Sequence, residues 1–294
     1  MVRRRDHLER AMAGECESNA AADPTLALMR DWSLVVDGPS FQTPSSWLRK
    51  VRFQGSKATL KVMKPTSDEH RAAAVLDYFD GGGAVRVYRA SERAWLMERG
   101  TRQDALTRMV LAGDDDGAAG ILAATIDKLH APRSRPVPSG LPSLKRRFAA
   151  LLGNADGPDV LGRCATVATA LLATERQRTV LHADMHHDNV VNGGVVDGRP
   201  RGWLAIDPKG VYGERTYEVA NLFCNPSPHG GIVLQPARML RLAAFYAARL
   251  DLDADRVLRF AFAHAGLSAC WSVADGEDPT FAIRCAETLQ PLIH

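Results

Sequence analysis

Cysteine is scarce in this chain, and the cysteines that do occur form no recognisable pattern. They are odd in number, far apart, and none belongs to a C-x-x-C pair: Cys16, Cys164, Cys224, Cys270 and Cys285. This spacing argues against a disulfide framework and is typical of reduced thiols. We therefore expect a cytoplasmic protein.

Long apolar runs are also missing. No apolar stretch approaches the ~20 residues that a helix needs to cross a bilayer. Residues 1–22 lack the apolar core of a secretory signal peptide. We therefore expect neither a membrane span nor a cleaved leader.

A strong charge of either sign is absent. The 37 Lys and Arg residues nearly balance the 34 Asp and Glu residues, and the net charge is +3. The basic residues are dispersed apart from one short run at residues 3–5, so we expect no nucleic-acid partner. At 294 residues, 46% hydrophobic and 24% charged, the chain is typical of a globular protein with one large or two small domains.

One polar stretch just past the middle carries the densest chemistry. The run L-H-A-D-M-H-H-D-N occupies residues 181–189, and the apolar run W-L-A-I leads into Asp207. The flanking apolar residues indicate short β-strands joined by turns. Asp184, Asn189 and Asp207 are therefore expected to lie close together at strand ends.

These residue types, in this order, match a protein-kinase-like phosphoryl transferase. A carboxylate such as Asp184 can accept the proton of an attacking hydroxyl group. Asn189 and Asp207 offer the amide and carboxylate oxygens that Mg²⁺ prefers. The pattern H-x-D-x-x-x-x-N followed by I-D therefore predicts phosphoryl transfer from MgATP.

The stretch at 181–189 has two other interpretations. Dinuclear zinc hydrolases use H-x-H-x-D-H, but here the histidines and aspartates come in a different order, and no second His or Cys cluster follows. A polar turn without chemistry is the other alternative. His182 is interpreted as structural, with its ring bonded to the loop backbone.

The first third of the chain favours strands. Residues 32–36 form a candidate strand ended by D-G-P at 37–39, residues 41–46 a loop, and residues 47–53 and 58–63 two strands around a turn at 54–57. Lys61 lies within the last of these strands. It could point to solvent, or it could reach the α- and β-phosphates of ATP and pair with a helix glutamate.

A helix at residues 67–79 follows and supplies Glu69 as the candidate partner of Lys61. Glu69 could equally do no more than complement the helix dipole. The glycines at 81–83 follow a helix and precede a strand, so they indicate a turn and no phosphate loop. Residues 94–100 form the next strand and its exit, where a two-lobed kinase has the hinge that binds adenine through backbone groups.

Helical patterns dominate the rest of the chain. An acidic loop is expected at 114–117, and helices are expected at 118–130, 144–152, 159–175, 236–250, 255–273 and 279–289. The fold class is therefore α+β. We expect a bilobal protein-kinase-like fold with a strand-rich N-lobe at residues 1–98 and a mainly helical C-lobe at residues 99–294.

With these pieces in place, the chain resembles the aminoglycoside/hydroxyurea phosphotransferases, and among them most closely the streptomycin 6-phosphotransferases. The resemblance is carried by L-K-V-M-K-P at 60–65, G-A-V-R at 83–86, the run at 181–189, G-W-L-A-I-D-P-K-G at 202–210, Y-E-V-A-N at 217–221 and L-S-A-C-W at 267–271. It implies transfer of the ATP γ-phosphoryl group to a hydroxyl of a small molecule such as streptomycin.

The resemblance also implies roles for individual residues. Asp184 resembles the catalytic base, and Asn189 and Asp207 resemble the Mg²⁺ ligands. Lys61 and Glu69 resemble the pair that clamps the phosphates.

The peptide from Glu98 to Gly100 resembles the adenine hinge. The loop at 41–46 lacks glycine, so backbone amides and the hydroxyls of Ser45 and Ser46 would contact the phosphates instead. Ala183 departs from the family, which usually has glycine there, and this narrows the backbone conformations open to the loop.

A streptomycin-like acceptor is cationic, so carboxylates are expected in its pocket. Asp275, Glu277 and Asp278, just after a helix, are candidates, and Glu218 is another. An acidic helix end is also commonly just solvated. Two alternatives for the whole chain stay open: a kinase of hydroxyurea, a sugar or an amino alcohol, and a nucleotide-binding protein without catalysis. The acceptor hydroxyl, the ATP or GTP preference and the oligomeric state are not indicated by the sequence.

Overall fold

An antiparallel sheet of five strands forms the N-terminal part of the molecule. The structure, a computed structural model, describes residues 23–65, 71–101, 103–154, 157, 159–196 and 198–293. Helix α1 (Thr25–Asp31) precedes the sheet. The strands are β1 (Val35–Gln42), β2 (Ser46–Phe53), β3 (Ser56–Met63), β4 (Val87–Ala90) and β5 (Ala94–Glu98), in the spatial order β1-β2-β3-β5-β4.

The alternation of side chains along β3 determines which of its residues face the main hydrophobic core and which face a smaller one. Ala58, Leu60 and Val62 point to one face, where they join a small core with residues of β2 and β5. Because successive side chains of a strand point to opposite faces, Lys61 and Met63 point to the other face. Met63 belongs there to the main core of the protein.

The first strand is longer than the sequence predicted. The D-G-P at residues 37–39 was expected to end it, but β1 continues to Gln42 with an irregularity in register between Val36 and Ser40. A proline is accepted because β1 is the edge strand, where an N–H group is not required on the outer side. The loop predicted at 41–46 therefore shrinks to the three residues between β1 and β2.

Helices make up most of the remaining chain. Helix α2 (Ala72–Phe79) lies between β3 and β4. The others are α3 (Ala105–Leu111), α4 (Asp115–His130), α5 (Leu144–Arg147), α6 (Ala149–Leu152), α7 (Val160–Ala173), α8 (Gly230–Val233), α9 (Pro236–Leu250), α10 (Ala254–Ala274) and α11 (Thr280–Leu289). The helix predicted at 144–152 is interrupted at Phe148 and forms α5 and α6.

The acidic residues predicted as a solvated loop at 114–117 instead begin helix α4. Asp114 is the N-cap, and its carboxylate accepts a hydrogen bond from the N–H of Gly117 at 3.0 Å. Asp115 and Asp116 lie in the first turn, where negative charge complements the helix dipole. The loop prediction was wrong because a run of aspartates satisfies the free N–H groups of a helix start as well as it suits solvent.

Short two-stranded sheets hold the polar segments in place. Strand β6 (Arg178–Leu181) pairs with β11 (Val211–Glu214), β7 (Val190–Asn192) pairs with β10 (Trp203–Ala205), and β8 (Val195–Val196) pairs with β9 (Arg199–Pro200). The N–H of Ala205 donates to the carbonyl of Gly83, and the carbonyl of Ala205 accepts from the N–H of Val85. Strand β10 is thereby joined to the segment that leads into β4.

Helix α10 is the only helix within the described residues whose length and apolar composition would suit a membrane span. Of its most apolar window, 61% is buried inside the protein. Its buried residues, among them Phe260, Phe262 and Leu267, belong to the main hydrophobic core. The apolar composition of α10 is therefore accounted for by its packing as a central helix.

Candidate active site

Asp184, Asn189 and Asp207 meet where the short strands end. Asp184 follows β6, Asn189 closes the 3₁₀ turn before β7, and Asp207 follows β10. The N–H of Ile206 donates to the carbonyl of Asn189 at 2.9 Å, which places Asp207 beside that turn. The Nδ2 of Asn189 donates to the carbonyl of Asp184 at 2.9 Å. The expected clustering of the three residues is therefore present.

The carboxylate of Asp184 is held between two carboxamides. Its Oδ2 lies 3.4 Å from Asn189 Nδ2, and its Oδ1 accepts from Asn221 Nδ2 at 3.2 Å. Asn221 lies on the 3₁₀ helix Arg215–Cys224, far along the chain. In the sequence, Asn221 is recognisable only as part of the motif Y-E-V-A-N at 217–221, which predicts no role for its side chain.

Lys61 faces this cluster from the N-terminal sheet. Its side chain is buried, and its Nζ lies 2.9 Å from Asp207 Oδ1 and 5.6 Å from the centre of the Trp95 ring. The solvent-facing alternative for Lys61 is therefore wrong. Glu69, its predicted helix partner, lies outside the described residues.

The backbone at this site contains two left-handed residues. Ala183 has φ +64° and Asp207 has φ +56°. For alanine this conformation costs roughly 1–2 kcal/mol, whereas aspartate tolerates it better. The carbonyl of Ala183 accepts a hydrogen bond from Arg147 Nη2 at 2.9 Å, which helps to hold the loop in this shape. Alanine thus occupies a position where glycine would be less strained.

Glu218 is buried against the loop that carries Asp184, which it anchors, and it is not part of an acceptor surface. It is 1% exposed, and its carboxylate accepts from the backbone N–H groups of His182 at 2.9 Å and Ala183 at 2.8 Å. The Nε2 of His130 lies 3.0 Å from the same carboxylate. Burial alone would raise the pKa of Glu218, but the hydrogen bonds and the neighbouring histidines outweigh it and hold the pKa below its usual value.

The proposed acceptor role of Glu218 is therefore wrong. A cationic acceptor needs a carboxylate it can reach, and Glu218 is enclosed on every side by the protein. The sequence did contain a signal: an acid within the mainly apolar run Y-E-V-A-N-L-F at 217–223, where the other polar residue is Asn221. A charge in such a run is normally buried with a partner.

His182 has the structural role expected of it. Its Nε2 lies 2.7 Å from the carbonyl of Ile206, so this nitrogen carries the proton and donates. Its Nδ1 then accepts from the N–H of Asp184 at 3.3 Å. Burial is the main cause that lowers the pKa of His182, and the ring is neutral at neutral pH. His182 thereby joins the strand end before Asp207 to the loop that carries Asp184.

Glu98 uses its side chain to tie the hinge to the C-terminal part. Its buried carboxylate accepts from Arg201 Nε at 2.7 Å and Arg201 Nη2 at 3.0 Å, and from the N–H of Arg86 at 3.2 Å. The side chain of Glu98 is therefore not available to a nucleotide base, and the N–H groups of Glu98 and Arg99 already donate to the carbonyls of Arg86 at 2.8 Å and Lys57 at 3.4 Å. At Gly100 a Cβ atom would lie 2.1 Å from Val191 Cγ2, so the position requires glycine for space.

Ser45 and Ser46 lie in the turn between β1 and β2. Ser46 is fully buried, and its Oγ lies 2.8 Å from Thr43 Oγ1. Its hydroxyl group is therefore enclosed within the turn, and a phosphate contact through it is not supported. Ser45 is partly exposed, and its Oγ lies 3.4 Å from the same Thr43 oxygen.

The acidic residues Asp275, Glu277 and Asp278 are all exposed just beyond the end of α10. Asp278 Oδ1 accepts from the N–H of Thr280 and begins α11. One turn earlier on α10, the Trp271 ring lies 4.2 Å from the guanidinium carbon of Arg147. Because Arg147 also holds the carbonyl next to Asp184, this end of α10 lies beside the candidate active site.

The donor atoms at the site suit a hard divalent cation. Asn189 uses its Nδ2 in bonds to Asp184, which leaves its amide oxygen for other ligands. Asp207 contributes a second oxygen donor. Among the described residues no three or more His, Cys, Asp or Glu side chains are grouped so that they could hold a metal ion, so this region lacks the ligand set of a zinc hydrolase.

The comparisons with known proteins agree with this geometry. The family model described as aminoglycoside/hydroxyurea antibiotic resistance kinase matches residues 31–276. Streptomycin 3''-kinase from Klebsiella pneumoniae is 39% identical over 251 residues, which is 84% of this chain and 92% of that protein. Streptomycin 6-kinase from Streptomyces glaucescens is 30% identical and covers 96% of this chain and 94% of that protein. The resemblance to 6-phosphotransferases therefore extends to a 3''-kinase.

Solved structures show the same fold at low sequence identity. An aminoglycoside phosphotransferase in a ternary complex with AMP-PNP and hygromycin B has a TM-score of 0.63 at 16% identity, over 92% of this chain and 98% of that one. An ethanolamine kinase from Plasmodium vivax has a TM-score of 0.55 at 15% identity, over 88% and 82%. The fold is therefore the bilobal protein-kinase-like fold. The chain belongs to the aminoglycoside/hydroxyurea antibiotic resistance kinases.

Proposed function

We propose that this kinase transfers the γ-phosphoryl group of MgATP to a hydroxyl group of streptomycin or a closely related aminoglycoside. The observation that carries the proposal is the convergence of Asp184, Asn189, Asp207 and Lys61 in one hydrogen-bonded cluster. Residues 1–98 are proposed as the nucleotide-binding lobe, and residues 99–294 as the lobe that carries the base and the acceptor site.

Asp184 is the proposed general base. It is partly exposed, and each carboxylate oxygen has one carboxamide donor, which leaves lone pairs for a substrate hydroxyl. The acceptor oxygen bonds to the γ-phosphorus, ADP leaves, and Asp184 takes the hydroxyl proton. Since the transition state is loose, positioning and charge stabilisation carry most of the catalysis.

The amide oxygen of Asn189 and the carboxylate of Asp207 would hold Mg²⁺. When bound, Mg²⁺ supplies charge that neutralises the phosphate oxygens. Lys61 is proposed to contact the α- and β-phosphates, for which its ion pair with Asp207 already positions the ammonium group. Ser45, the hinge backbone at Glu98 and Gly100, and Glu69 complete the proposed nucleotide site.

The acceptor is proposed to approach from the end of α10. The Trp271 ring offers a partly exposed apolar face there, and Asp275, Glu277 and Asp278 offer negative charge for a guanidinium-bearing ligand. We expect Glu277→Lys to raise the KM for streptomycin and to leave the KM for ATP unchanged. Glu287→Lys, an exposed acid on α11, is the matched control. An equal KM in both variants would mean that the helix end is only solvated.

The 3''-hydroxyl is the proposed acceptor position, since the 3''-kinase has higher identity to this chain than the 6-kinase. Phosphorus-coupled NMR of the purified product identifies the position directly. Phosphorylation at the 6-hydroxyl would refute this part of the proposal and leave the reaction intact. A cytoplasmic location, where ATP is available, agrees with the free thiols of the four described cysteines.

The decisive assay is MgATP-dependent phosphorylation of an acceptor panel that contains streptomycin, hydroxyurea, a sugar and an amino alcohol. We expect turnover with streptomycin and a kcat lower by roughly 10²–10⁴-fold in Asp184→Ala, the usual scale of base catalysis. Preferential turnover of another acceptor would favour a different metabolite kinase. Nucleotide binding without transfer to any acceptor would favour the non-catalytic alternative.

A further inference from the structure

Asn221 and Asn225 form a hydrogen-bonded pair behind the carboxylate of Asp184. Asn221 Nδ2 donates to Asp184 Oδ1 at 3.2 Å, and Asn225 Nδ2 donates to Asn221 Oδ1 at 3.0 Å. We infer that this pair orients the carboxylate of Asp184 for proton transfer, with Asn225 determining which end of the Asn221 carboxamide faces the base. The inference rests on the proposed function of Asp184.

The orientation of Asn225 is set by the backbone. Its Nδ2 donates to the carbonyl of Asn221 at 2.8 Å, and its Oδ1 accepts from the N–H of Ser227 at 3.3 Å. A carbonyl group only accepts and a backbone N–H only donates. Rotating the carboxamide of Asn225 by half a turn would oppose like groups at both ends, so only one orientation is favourable.

The orientation of Asn221 follows from that of Asn225. Because Asn225 presents a donor, Asn221 presents its Oδ1 to it, and its Nδ2 then points at Asp184. The reverse orientation would place a carbonyl oxygen against a carboxylate and two donors against each other. The carbonyl of Asn221 and the N–H of Ser227 thus fix the orientation of Asn225, and Asn225 fixes that of Asn221. As a result, Asn221 presents an N–H donor to Oδ1 of Asp184.

The ion pair between Arg238 and Asp115 holds Asn225 in place within the C-terminal lobe. Arg238 Nη2 donates to the carbonyl of Asn225 at 3.2 Å, and Arg238 is 7% exposed. Its Nε and Nη2 each lie 2.8 Å from a carboxylate oxygen of Asp115 at the start of α4. The planar guanidinium group holds this two-bonded geometry rigidly. Residues on α4, α9 and the 3₁₀ helix thus support one side of Asp184.

Asn221 and Asn225 are positioning residues, since they act on the base and not on the reacting atoms. Misplacing a catalytic group by about 1 Å can cost on the order of 10²-fold in rate. We expect Asn221→Ala to lower kcat by roughly 10–100-fold and Asn225→Ala by roughly 5–20-fold. The KM for ATP and the Kd of ADP should stay within about twofold of the wild-type values, since the two side chains bond to Asp184, to the backbone and to each other rather than to Lys61 or Asp207.

The test is a double-mutant cycle on the full chain with streptomycin and MgATP, read as kcat, KM for ATP, Kd of ADP and Tm. If Asn225 acts only through Asn221, the double alanine variant has the kcat of Asn221→Ala alone. Asn225→Asp keeps the size of the side chain but presents an acceptor where Asn225 presents a donor. It should therefore turn the carbonyl oxygen of Asn221 toward Asp184 and lower kcat at least as much as Asn225→Ala does, even where the alanine variant folds poorly. Asn154→Ala is the matched control and should keep wild-type kcat, because among the described residues its carboxamide bonds to the carbonyls of Ala150 and Leu151 and to Cys270.

Wild-type kcat in Asn221→Ala or in Asn225→Asp, or multiplicative losses in the double variant, would overturn the inference. A parallel loss of kcat in the Asn154 control would also overturn it, because the effect would then be general destabilisation. Asp184→Ala separates this outcome from failure of the proposed function. If Asp184→Ala shows the expected loss of roughly 10²–10⁴-fold in kcat while the asparagine variants are normal, only the inference fails. If Asp184→Ala keeps a kcat close to that of the wild type, the proposed function fails.

Discussion

Replacing Glu218 by glutamine should cost both stability and turnover. The carboxylate of Glu218 accepts two backbone N–H groups of the Asp184 loop and faces His130. Glutamine keeps the size of the side chain but has one acceptor oxygen, so its NH₂ group must face one of the two N–H donors. The change also removes the negative charge beside His130.

The magnitude follows from what is left without a partner. A hydrogen bond to a charged group contributes roughly 1.5–3 kcal/mol, and a buried donor without an acceptor costs roughly 1–3 kcal/mol. Their sum is about 2.5–6 kcal/mol, and removal of one partner of a buried charged pair, which costs about 3–5 kcal/mol, lies within this range. At roughly 2.1 cal/mol/K of unfolding entropy per residue, the Tm of a chain of 294 residues shifts by about 1.6 °C per kcal/mol, so a loss of about 3–5 kcal/mol should lower Tm by about 5–8 °C.

Glu214→Gln is the matched control. Glu214 is also fully buried, but its carboxylate binds Arg256 and the N–H of Arg176 and does not contact the Asp184 loop. Thermal unfolding followed by circular dichroism gives Tm, and kcat is measured well below the lower Tm. We expect both variants to lose Tm and only Glu218→Gln to lose kcat. A fully folded Glu218→Gln enzyme with wild-type kcat would refute the anchoring role.

Three further predictions concern stability and the hinge. Burial lowers the pKa of His187 and of His264 to about 3, so the unfolded chain binds protons below about pH 6.5 that the folded chain does not. Stability should therefore fall with pH between about 6.5 and 3, by roughly 1.4 kcal/mol per pH unit for each histidine. The Tm at about pH 5.5 and 7.5 measures this, and a His264→Gln variant with an undiminished pH dependence would contradict it. Gly100→Ala places a Cβ 2.1 Å from Val191 and should cost roughly 1–3 kcal/mol and raise the KM for ATP; an unchanged Tm would show that the hinge yields. Ala183→Gly, at φ +64°, should stabilise the protein by roughly 0.5–1 kcal/mol, and a lower Tm would count against strain at this residue.

The sequence predicted the parts of the site that are local in the chain. Asp184 and Asn189 are five residues apart, and the strands beside them are short apolar runs that any reader of the sequence can recognise. The sequence left two directions open for the side chain of Lys61. Alternation along β3 places this side chain on the face opposite Leu60 and Val62, but which face is turned toward the active site follows only from the burial of these neighbours. Helix α9 was predicted with its observed bounds because Pro236 begins it and its apolar face is periodic.

The contacts that the sequence did not predict are long-range. Glu218 is separated from Ala183 by 35 residues, and Asn221 from Asp184 by 37 residues. Neither pairing follows from periodicity, because the two segments meet only when α10 packs against the 3₁₀ helix that carries Glu218. The predictions made from the D-G-P at residues 37–39 and from the aspartates at the start of α4 were wrong for another reason. Their local chemistry fits two structures, and the position in the fold decides between them.

The backbone conformation of Asp207 restricts how this protein can diverge. With φ +56°, the position favours glycine, asparagine or aspartate, whereas holding a hard cation requires a side-chain oxygen. Glycine meets only the first demand, and glutamate meets only the second. Asparagine meets both but loses the ion pair with Lys61, which spans 2.9 Å. None of these demands involves the acceptor, so lineages that drift toward new acceptors should change the end of α10 freely and keep aspartate at 207.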